Sequence, residues 1–277
     1  MHTVRLSTRK YRYSPLTRYG RFLIRKINRV FKEYKLIGDG DRVCVSVSGG
    51  KDSLSLLYLL LEHKRVYPGN FTVAAVHVVS DFNPHGEETR EYLRSLFESL
   101  GIEYGFLETT VTRDIQGNER IPTCFWCSWN RRQAVFNYCV EKGYNKLAFG
   151  HHYDDVAETT LLNLVYHGNL ETMLPVREFF DGAFSVIRPL FYIREKDLVR
   201  YAEMAGFRTA SCSCPNEDRG KRLMMKKLLR DLLKESHLLY HNLWRASRLW
   251  FEAFGEHPCH PAPRVRVLEE DKSIADM

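Results

Sequence analysis

Six consecutive residues, Ser48-Gly49-Gly50-Lys51-Asp52-Ser53, follow the apolar run DRVCVSV and have the makings of an anion site. A strand that ends in such a turn and opens a helix aims several backbone N–H groups at one point. The helix dipole favours negative charge there by about 0.3–1 kcal/mol. Gly49 and Gly50 let the backbone come close, Ser48 and Ser53 offer hydroxyls, and Lys51 adds positive charge. The plainer alternative is a glycine turn that only joins strand to helix. A Walker-type loop carries Ser or Thr straight after its lysine, whereas here Asp52 intervenes. A carboxylate beside a phosphate makes chemical sense when it holds a magnesium ion.

A second polar cluster, Gly150-His151-His152-Tyr153-Asp154-Asp155, follows the strand-like KLAFG. In open α/β sheets ligands bind beyond the carboxyl ends of the strands, where this cluster belongs. Gly150 admits a close ligand, and His151, Asp154 and Asp155 can contact phosphate, magnesium or substrate. The competing role for the two aspartates is helix N-capping, worth about 1 kcal/mol. One of the two histidines can simply pack under the loop.

Sulfur supplies the third group. Cys124 and Cys127 form a C-x-x-C ahead of Arg131 and Arg132, and Cys212 and Cys214 form a C-x-C ahead of a basic segment. In a chain without a secretory signal this pattern favours metal binding or sulfur chemistry over structural disulfides. Two pairs would satisfy zinc, and C-x-x-C alone is also a redox pair. Three thiolates on a four-iron cluster would leave one iron open to carry sulfur. Cys44 and Cys139 read as packed thiols, and Cys259 has no assignable role.

The elements that must position these groups alternate. An amphipathic helix is expected through Tyr19, Leu23, Ile27, Val30 and Tyr34, closed by Gly38 and Gly40. Strands follow near Val43–Val47, Phe71–Val79, Tyr104–Leu107 and within KLAFG. Helices are expected through LSLLYLLLEH, Glu87–Leu100, from about Ser128, and from Asp154 to Tyr166. The segment from Thr110 to Thr123 reads as a loop, and past Arg188 the chain turns helical and basic. Strand–helix alternation predicts an α/β doubly wound parallel sheet. Residues 1–40 read as a basic extension, 41–210 as the nucleotide-binding domain and 211–260 as a cysteine loop with basic helices. Residues 261–277 read as a disordered tail.

Of 277 residues, 44% are hydrophobic and 27% charged, as in ordinary globular proteins. No apolar run is long enough to cross a bilayer, and the charged N-terminus lacks a signal-peptide core, so a cytoplasmic protein is expected. The net charge is +7, concentrated in two places. Arg12, Arg18, Arg25 and their neighbours, with Tyr11, Tyr13 and Tyr19 interleaved, make one; RGKRLMMKKLLR, with Arg222 and Lys226, makes the other. Such segments suit phosphate backbones and unpaired bases, although a lone basic helix is more often a solvated surface.

Ser48–Ser53 resembles the PP-loop, S-G-G-x-D-S, of the nucleotide α-hydrolases. These enzymes cut ATP between the α and β phosphates, so that AMP activates a substrate oxygen. CFWCSWNRR, GHHYDDVAETTLLNLVYHG, IRPLFYIREKDLVRYA and a late cysteine followed by KKLLRDLL are similar, in content and order, to the tRNA 2-thiocytidine synthetases. The likeness runs from about Leu16 to His237. It implies ATP, Mg²⁺ and a 4Fe-4S cluster held by Cys124, Cys127 and Cys214, with Cys212 in reserve. The family's late motif has two residues between its cysteines, followed by Gly-Ser. This chain has only Ser213 there, followed by Pro215 and Asn216.

The resemblance further implies ATP contacts from Ser48 to Ser53, Gly150, His151 and, at the adenosine, His77. It assigns catalytic roles to Lys51, Asp52, Asp154, Asp155 and Arg131, and tRNA contacts to Arg12, Arg18, Arg25, Arg132, Arg222 and Lys226. Its target is cytidine 32, its sulfur comes from a donor such as a cysteine desulfurase, and its members tend to be homodimers. The related 2-thiouridine synthetases carry zinc-binding cysteine pairs at both ends, while this chain has no cysteine before Cys44. Two rival expectations stand: a PP-loop sulfurtransferase acting on a uridine or a small molecule, and a zinc-stabilised RNA-binding module that turns over no ATP.

Overall fold

Alternation along Val43–Val47 sets the layering. In the computed structural model, which describes residues 18–66, 69–80, 86–109, 123–209 and 221–255 (the side chains at 18, 80 and 123–126 lie outside that set), β1 spans Arg42–Ser46. Val43, Val45 and Val47 face one core; Cys44 between them faces the other.

α1 (Arg18–Tyr34) precedes β1, and α2 (Lys51–Val66), β2 (Thr72–Ser80), α3 (Gly86–Leu100) and β3 (Glu103–Thr109) follow it. α4 (Thr123–Glu141) then leads to β4 (Lys146–Ala148) and α5 (Tyr153–His167). A hairpin of β5 (Val176–Phe179) and β6 (Phe184–Ile187) comes next, then α6 (Glu195–Ala205), α7 (Lys221–Glu235) and α8 (Leu239–Phe254). The six strands lie in the order β3-β2-β1-β4-β6-β5. All neighbouring pairs are parallel except β5 with β6.

The doubly wound sheet expected from the sequence is therefore present, with an antiparallel edge. Strand order reverses between β1 and β4, which opens a crevice at their carboxyl ends. One face of the sheet is covered by α1, α2, α3 and α6, around Leu23, Ile27, Leu54, Leu57, Phe97 and Leu198. α2 buries leucines on nearly every side (Leu54, Leu56, Leu57, Leu59, Leu60) because it is sandwiched between the sheet and the helices outside it. Each such side chain contributes about 1.5–3 kcal/mol by leaving water. The opposite face packs Val135, Phe136 and Cys139 of α4 on Cys44, Val76 and Leu147. A third cluster joins Ala157 and Leu161 of α5 to Met225 and Leu229 of α7 and Tyr240 of α8.

Leu23, Ile27 and Val30, the apolar stripe of α1, belong to the main core. Two features differ from the expected elements. α4 begins at Thr123 rather than near Ser128, and no glycine or proline interrupts TCFWCS. The β5–β6 hairpin lies between the expected helix and the stretch past Arg188, where no element was expected; Asp181-Gly182 turns it with φ of 52° and 89°, a common hairpin signal.

Candidate active site

The sequence Ser48–Ser53 closes into a turn at the end of β1 through its own side chains. Gly49 takes φ 88°, which a side chain would resist. The Ser53 hydroxyl donates to the Gly50 carbonyl at 3.0 Å and accepts the Ser48 N–H at 3.1 Å. Ser48 Oγ accepts the Gly50 N–H at 3.3 Å. This leaves the first-turn amides of α2 facing outward with no intrahelical acceptor, as at any helix start.

Beneath the turn, His77 is buried at 3% exposure with Nδ1 2.6 Å from the Val47 carbonyl. Since a carbonyl only accepts, Nδ1 carries the proton. Burial holds the ring's pKa below its usual value, with Arg131 and Arg90 adding to the effect. His77 thus buttresses the loop, and Arg131 on α4 lies within electrostatic reach of it.

The second motif meets the first edge to edge. A Cβ on Gly150 would stand 3.1 Å from the Asp52 carbonyl carbon and from the Ser53 nitrogen, so only glycine lets the β4 loop lie against the start of α2. His152 is the N-cap of α5: its Nδ1 accepts the Asp155 N–H, and Asp155 Oδ2 accepts the His152 N–H at 2.9 Å, a reciprocal capping box. With Nδ1 accepting, the neutral ring presents Nε2–H toward Asp52 Oδ1, 3.9 Å away. That Asp52 oxygen is buried and has no hydrogen-bond partner among the described residues. A buried carboxylate oxygen left open is costly unless something fills it; a hard divalent cation fits this donor chemistry.

The two aspartates of the motif have separate duties. Asp155 is shared between the capping box and Arg222, whose Nη2 lies 3.3 Å from Oδ1. Burial pushes its pKa up, but His152, His151 and Arg222 outweigh that and hold it below the usual range. Asp154 is occupied on all sides. Arg194 Nε donates to both oxygens at 3.1–3.2 Å, the Glu195 N–H at 2.7 Å and the Tyr240 hydroxyl at 2.7 Å. It therefore caps α6 from a distance and ties α5 to α8. His151 has a buried Nδ1 without a partner among the described residues; burial and then Arg188 hold its pKa down at about 3.

Charge is balanced around Lys51. Its Nζ lies 3.1 Å from Asp52 Oδ2 and 3.2 Å from Glu195 Oε1, and Glu195 Oε2 is 2.8 Å from Lys226. Burial opposes the charge on Lys51, but Asp52 and Glu195 raise its pKa overall. Burial likewise pushes Glu195 up, yet Lys226 and then Lys51 hold it at about 2. Glu195, Arg194 and Tyr240 were not singled out from the sequence, and His152 was read only as one of two histidines that could pack under the loop. Only Glu195 had a local signal, an acid opening a helix in IREKD.

The expected cation contacts divide. Arg222 pairs with Asp155 and Glu158, and Lys226 with Glu195, so both are engaged beside the Gly150–Asp155 motif. Their helix packs through Met225 and Leu229, and the Arg222 side chain stays 55% exposed. Arg25 and Arg132 are exposed, and Arg132 Nε donates to the Ser128 carbonyl at 3.1 Å. Arg12 and the side chain of Arg18 lie outside the described residues.

Cys124 and Cys127 sit at the second and fifth positions of α4, three residues apart and so on one face. Cys127 is a free, half-buried thiol. α4 follows β3 and leads into the parallel β4, so it starts at the carboxyl edge of the sheet, where the phosphate turn also lies. This pair fits a cluster or metal needing further ligands; Cys212, Cys214 and the Cys124 side chain lie outside the described residues. Cys44 and Cys139 are fully buried in the α4 core.

With this geometry in view, residues 21–231 match the PP-loop domain family. The chain is 36% identical over 237 residues to the tRNA-cytidine(32) 2-sulfurtransferase of Hahella chejuensis, covering 83% of this chain and 81% of that protein. It is 35% identical to the Salmonella newport protein of the same name, covering 83% and 74%. The chain belongs to the tRNA-cytidine(32) 2-sulfurtransferase family. Its fold resembles that of the U34-tRNA thiolase NcsA from Methanococcus maripaludis, solved with its 4Fe-4S cluster, at a TM-score of 0.69 and 23% identity over 84% of this chain and 79% of that one.

Proposed function

We propose that the protein is an ATP-dependent sulfurtransferase that replaces the C2 oxygen of cytidine 32 in tRNA with sulfur. The observation that carries this reading is the meeting, at one carboxyl edge, of a complete SGGKDS turn and the Gly150–Asp155 motif, with the Cys124/Cys127 pair in the first turns of α4. Family membership at 35–36% identity points the same way.

In this reading the amides opening α2 receive the phosphates of ATP, and Lys51 exchanges its carboxylate partners for them. Asp52 Oδ1 helps to hold Mg²⁺ on the triphosphate, with His152 close behind it. The C2 oxygen of the base attacks the α-phosphorus; the new O–P bond forms as the bond to the β-phosphate oxygen breaks, and pyrophosphate leaves. Lys51 and the helix dipole stabilise the charge that gathers on the leaving group. Arg131, beside His77, stabilises the resulting base–AMP adduct. Cys124 and Cys127, with Cys214 or Cys212, hold the 4Fe-4S cluster. When bound, that cluster supplies the sulfur whose addition at C2 releases AMP. Asp154 and Asp155 act by holding the His152 loop and the start of α6 in place. The same reading carries a cysteine desulfurase-type sulfur donor, a cytoplasmic setting and a homodimer. Among the described residues no helix is long and apolar enough to cross a membrane.

The test is an anaerobic incubation of the iron-reconstituted full chain with unmodified tRNA, ATP, Mg²⁺ and sulfide, followed by nucleoside mass spectrometry. 2-Thiocytidine at position 32, absent with Cys127→Ser, is the expected result. 2-Thiouridine, or a colourless zinc protein that makes no thionucleoside, would overturn the reading.

A further inference from the structure

Away from the ATP turn, α1 and α8 stand apart and enclose a cavity of about 640 Å³. Its floor is aromatic. Tyr153, Tyr192 and Trp244 line it, with Tyr153 and Tyr192 meeting edge to face at 6.2 Å. Its walls are cationic: Lys26 and Arg29 come from α1, and Arg245 and Arg248 from α8, against one carboxylate, Glu33.

The charges differ in how far they are compensated. Lys26 is held by Asp197 at 2.9 Å, and Arg29 lies over the Tyr192 ring at 4.8 Å with Glu33 3.5 Å from its Nε. Glu33 is itself occupied by the Tyr192 hydroxyl at 2.9 Å. Among the described residues Arg248 has one ion-pair partner, a solvent-exposed Glu252 one turn on, and Arg245 has none. An exposed helical pair of this kind contributes little, because solvent screens both charges. An arginine pair at the mouth of an aromatic-floored cavity therefore faces solvent with its charge nearly unspent.

Structural duty does not account for this arrangement. α8 is anchored by Tyr240, Trp244 and Ser247, which are buried, while Arg245 and Arg248 project to the exposed side of the same helix. Guanidinium groups beside aromatic faces form the chemistry that holds a nucleotide, with phosphate on the cations and a base on a ring. Tyr153 also connects the cavity to the active site, since it directly follows His152, whose ring faces Asp52, and packs on Tyr240, which bonds Asp154.

We propose that the α1–α8 cavity is a second RNA-binding site, taking a backbone phosphate and an unstacked base of the tRNA substrate. Arg245, Arg248 and Arg29 contact the phosphate, and the aromatic floor receives the base. The proposal rests on the tRNA reading above and adds to it a grip distinct from the catalytic edge.

The test compares equilibrium binding of full-length tRNA across a salt series for three full-length proteins: wild type, Arg245→Ala/Arg248→Ala, and Lys64→Ala/Lys142→Ala. The last pair removes equal charge from the ends of α2 and α4 at the amino edge of the sheet. Losing the grip on that one phosphate should lower the slope of log affinity against log salt by up to about 1 in the arginine pair, with the lysine pair at the wild-type value. Equal slopes in all three proteins would overturn the cavity site. So would an equal fall in both variants, since that reports bulk charge. Wild type that binds and thiolates tRNA beside unchanged variants condemns the cavity alone, while wild type that retains no tRNA condemns the tRNA reading and the cavity together.

Discussion

At the scale of single residues, the site depends on two atoms with no room or no partner. Asp52 Oδ1 is buried and unpaired among the described residues, which suits a cation on the triphosphate. Asp52→Asn keeps the shape and removes that charge. Release of pyrophosphate from ATP should fall by at least about 10²-fold, in the range seen when one pre-organised electrostatic group is lost. A variant within threefold of wild type in a pyrophosphate assay would remove Asp52 from the reaction. A Cβ at Gly150 would stand 3.1 Å from the backbone of Asp52 and Ser53. Gly150→Ala must push the start of α2 aside by a few tenths of an ångström, at a cost of about 1–3 kcal/mol for overpacking. ATP affinity measured by calorimetry should drop more than thermal stability does. If ATP binding is intact, the two loops move independently of one another.

At the scale of elements, α7 is joined to the ATP turn by a carboxylate bridge. Glu195 opens α6, touches Lys51 on one side and Lys226 on the other, and its N–H is capped by Asp154. Glu195→Gln keeps the cap and cuts both ion pairs. Amide hydrogen exchange in Lys221–Glu235 should then speed up while the core of α2 stays protected; uniform protection would show that Met225 and Leu229 alone secure the helix. Much of this scaffold was legible beforehand. The apolar runs of β1 and β2, the glycine turn and the amphipathic α1 each carry their own periodicity or punctuation, and each formed where expected. The Asp154 network was not legible, because its donors come from Arg194, Glu195 and Tyr240, forty to eighty-six residues away. The ion pairs of Arg222 and Lys226 were hidden for a similar reason: their partners Asp155, Glu158 and Glu195 lie on other elements. The β5–β6 hairpin was missed although Asp181-Gly182 announces it, since flanking strands of four residues give little alternation to read.

At the scale of the whole molecule, buried histidines make the fold acid-sensitive. Burial holds His63 at about 4, and burial with Arg188 holds His151 at about 3. Both are below the ordinary histidine value, so between roughly pH 6.5 and those values the unfolded chain binds protons that the folded chain refuses. Stability is therefore fully present above pH 6.5 and declines as pH falls toward 4. Glu195, held at about 2, adds a further loss below the ordinary carboxylate range. His63→Gln should flatten urea-derived stability against pH by up to about 1.4 kcal/mol per unit in the window from 6 to 4; an unchanged slope would mean that other groups set it.

The central claim is that ATP is spent on the oxygen of the base itself, with sulfur entering only afterwards. It is tested most directly with tRNA carrying ¹⁸O at C2 of cytidine 32, in a single thiolation turnover with ATP, Mg²⁺ and sulfide under anaerobic conditions. Mass spectrometry of the nucleotide products should find the label in AMP, in step with the appearance of 2-thiocytidine. Label absent from AMP, or ADP and inorganic phosphate in place of AMP and pyrophosphate, would contradict adenylation at this PP-loop.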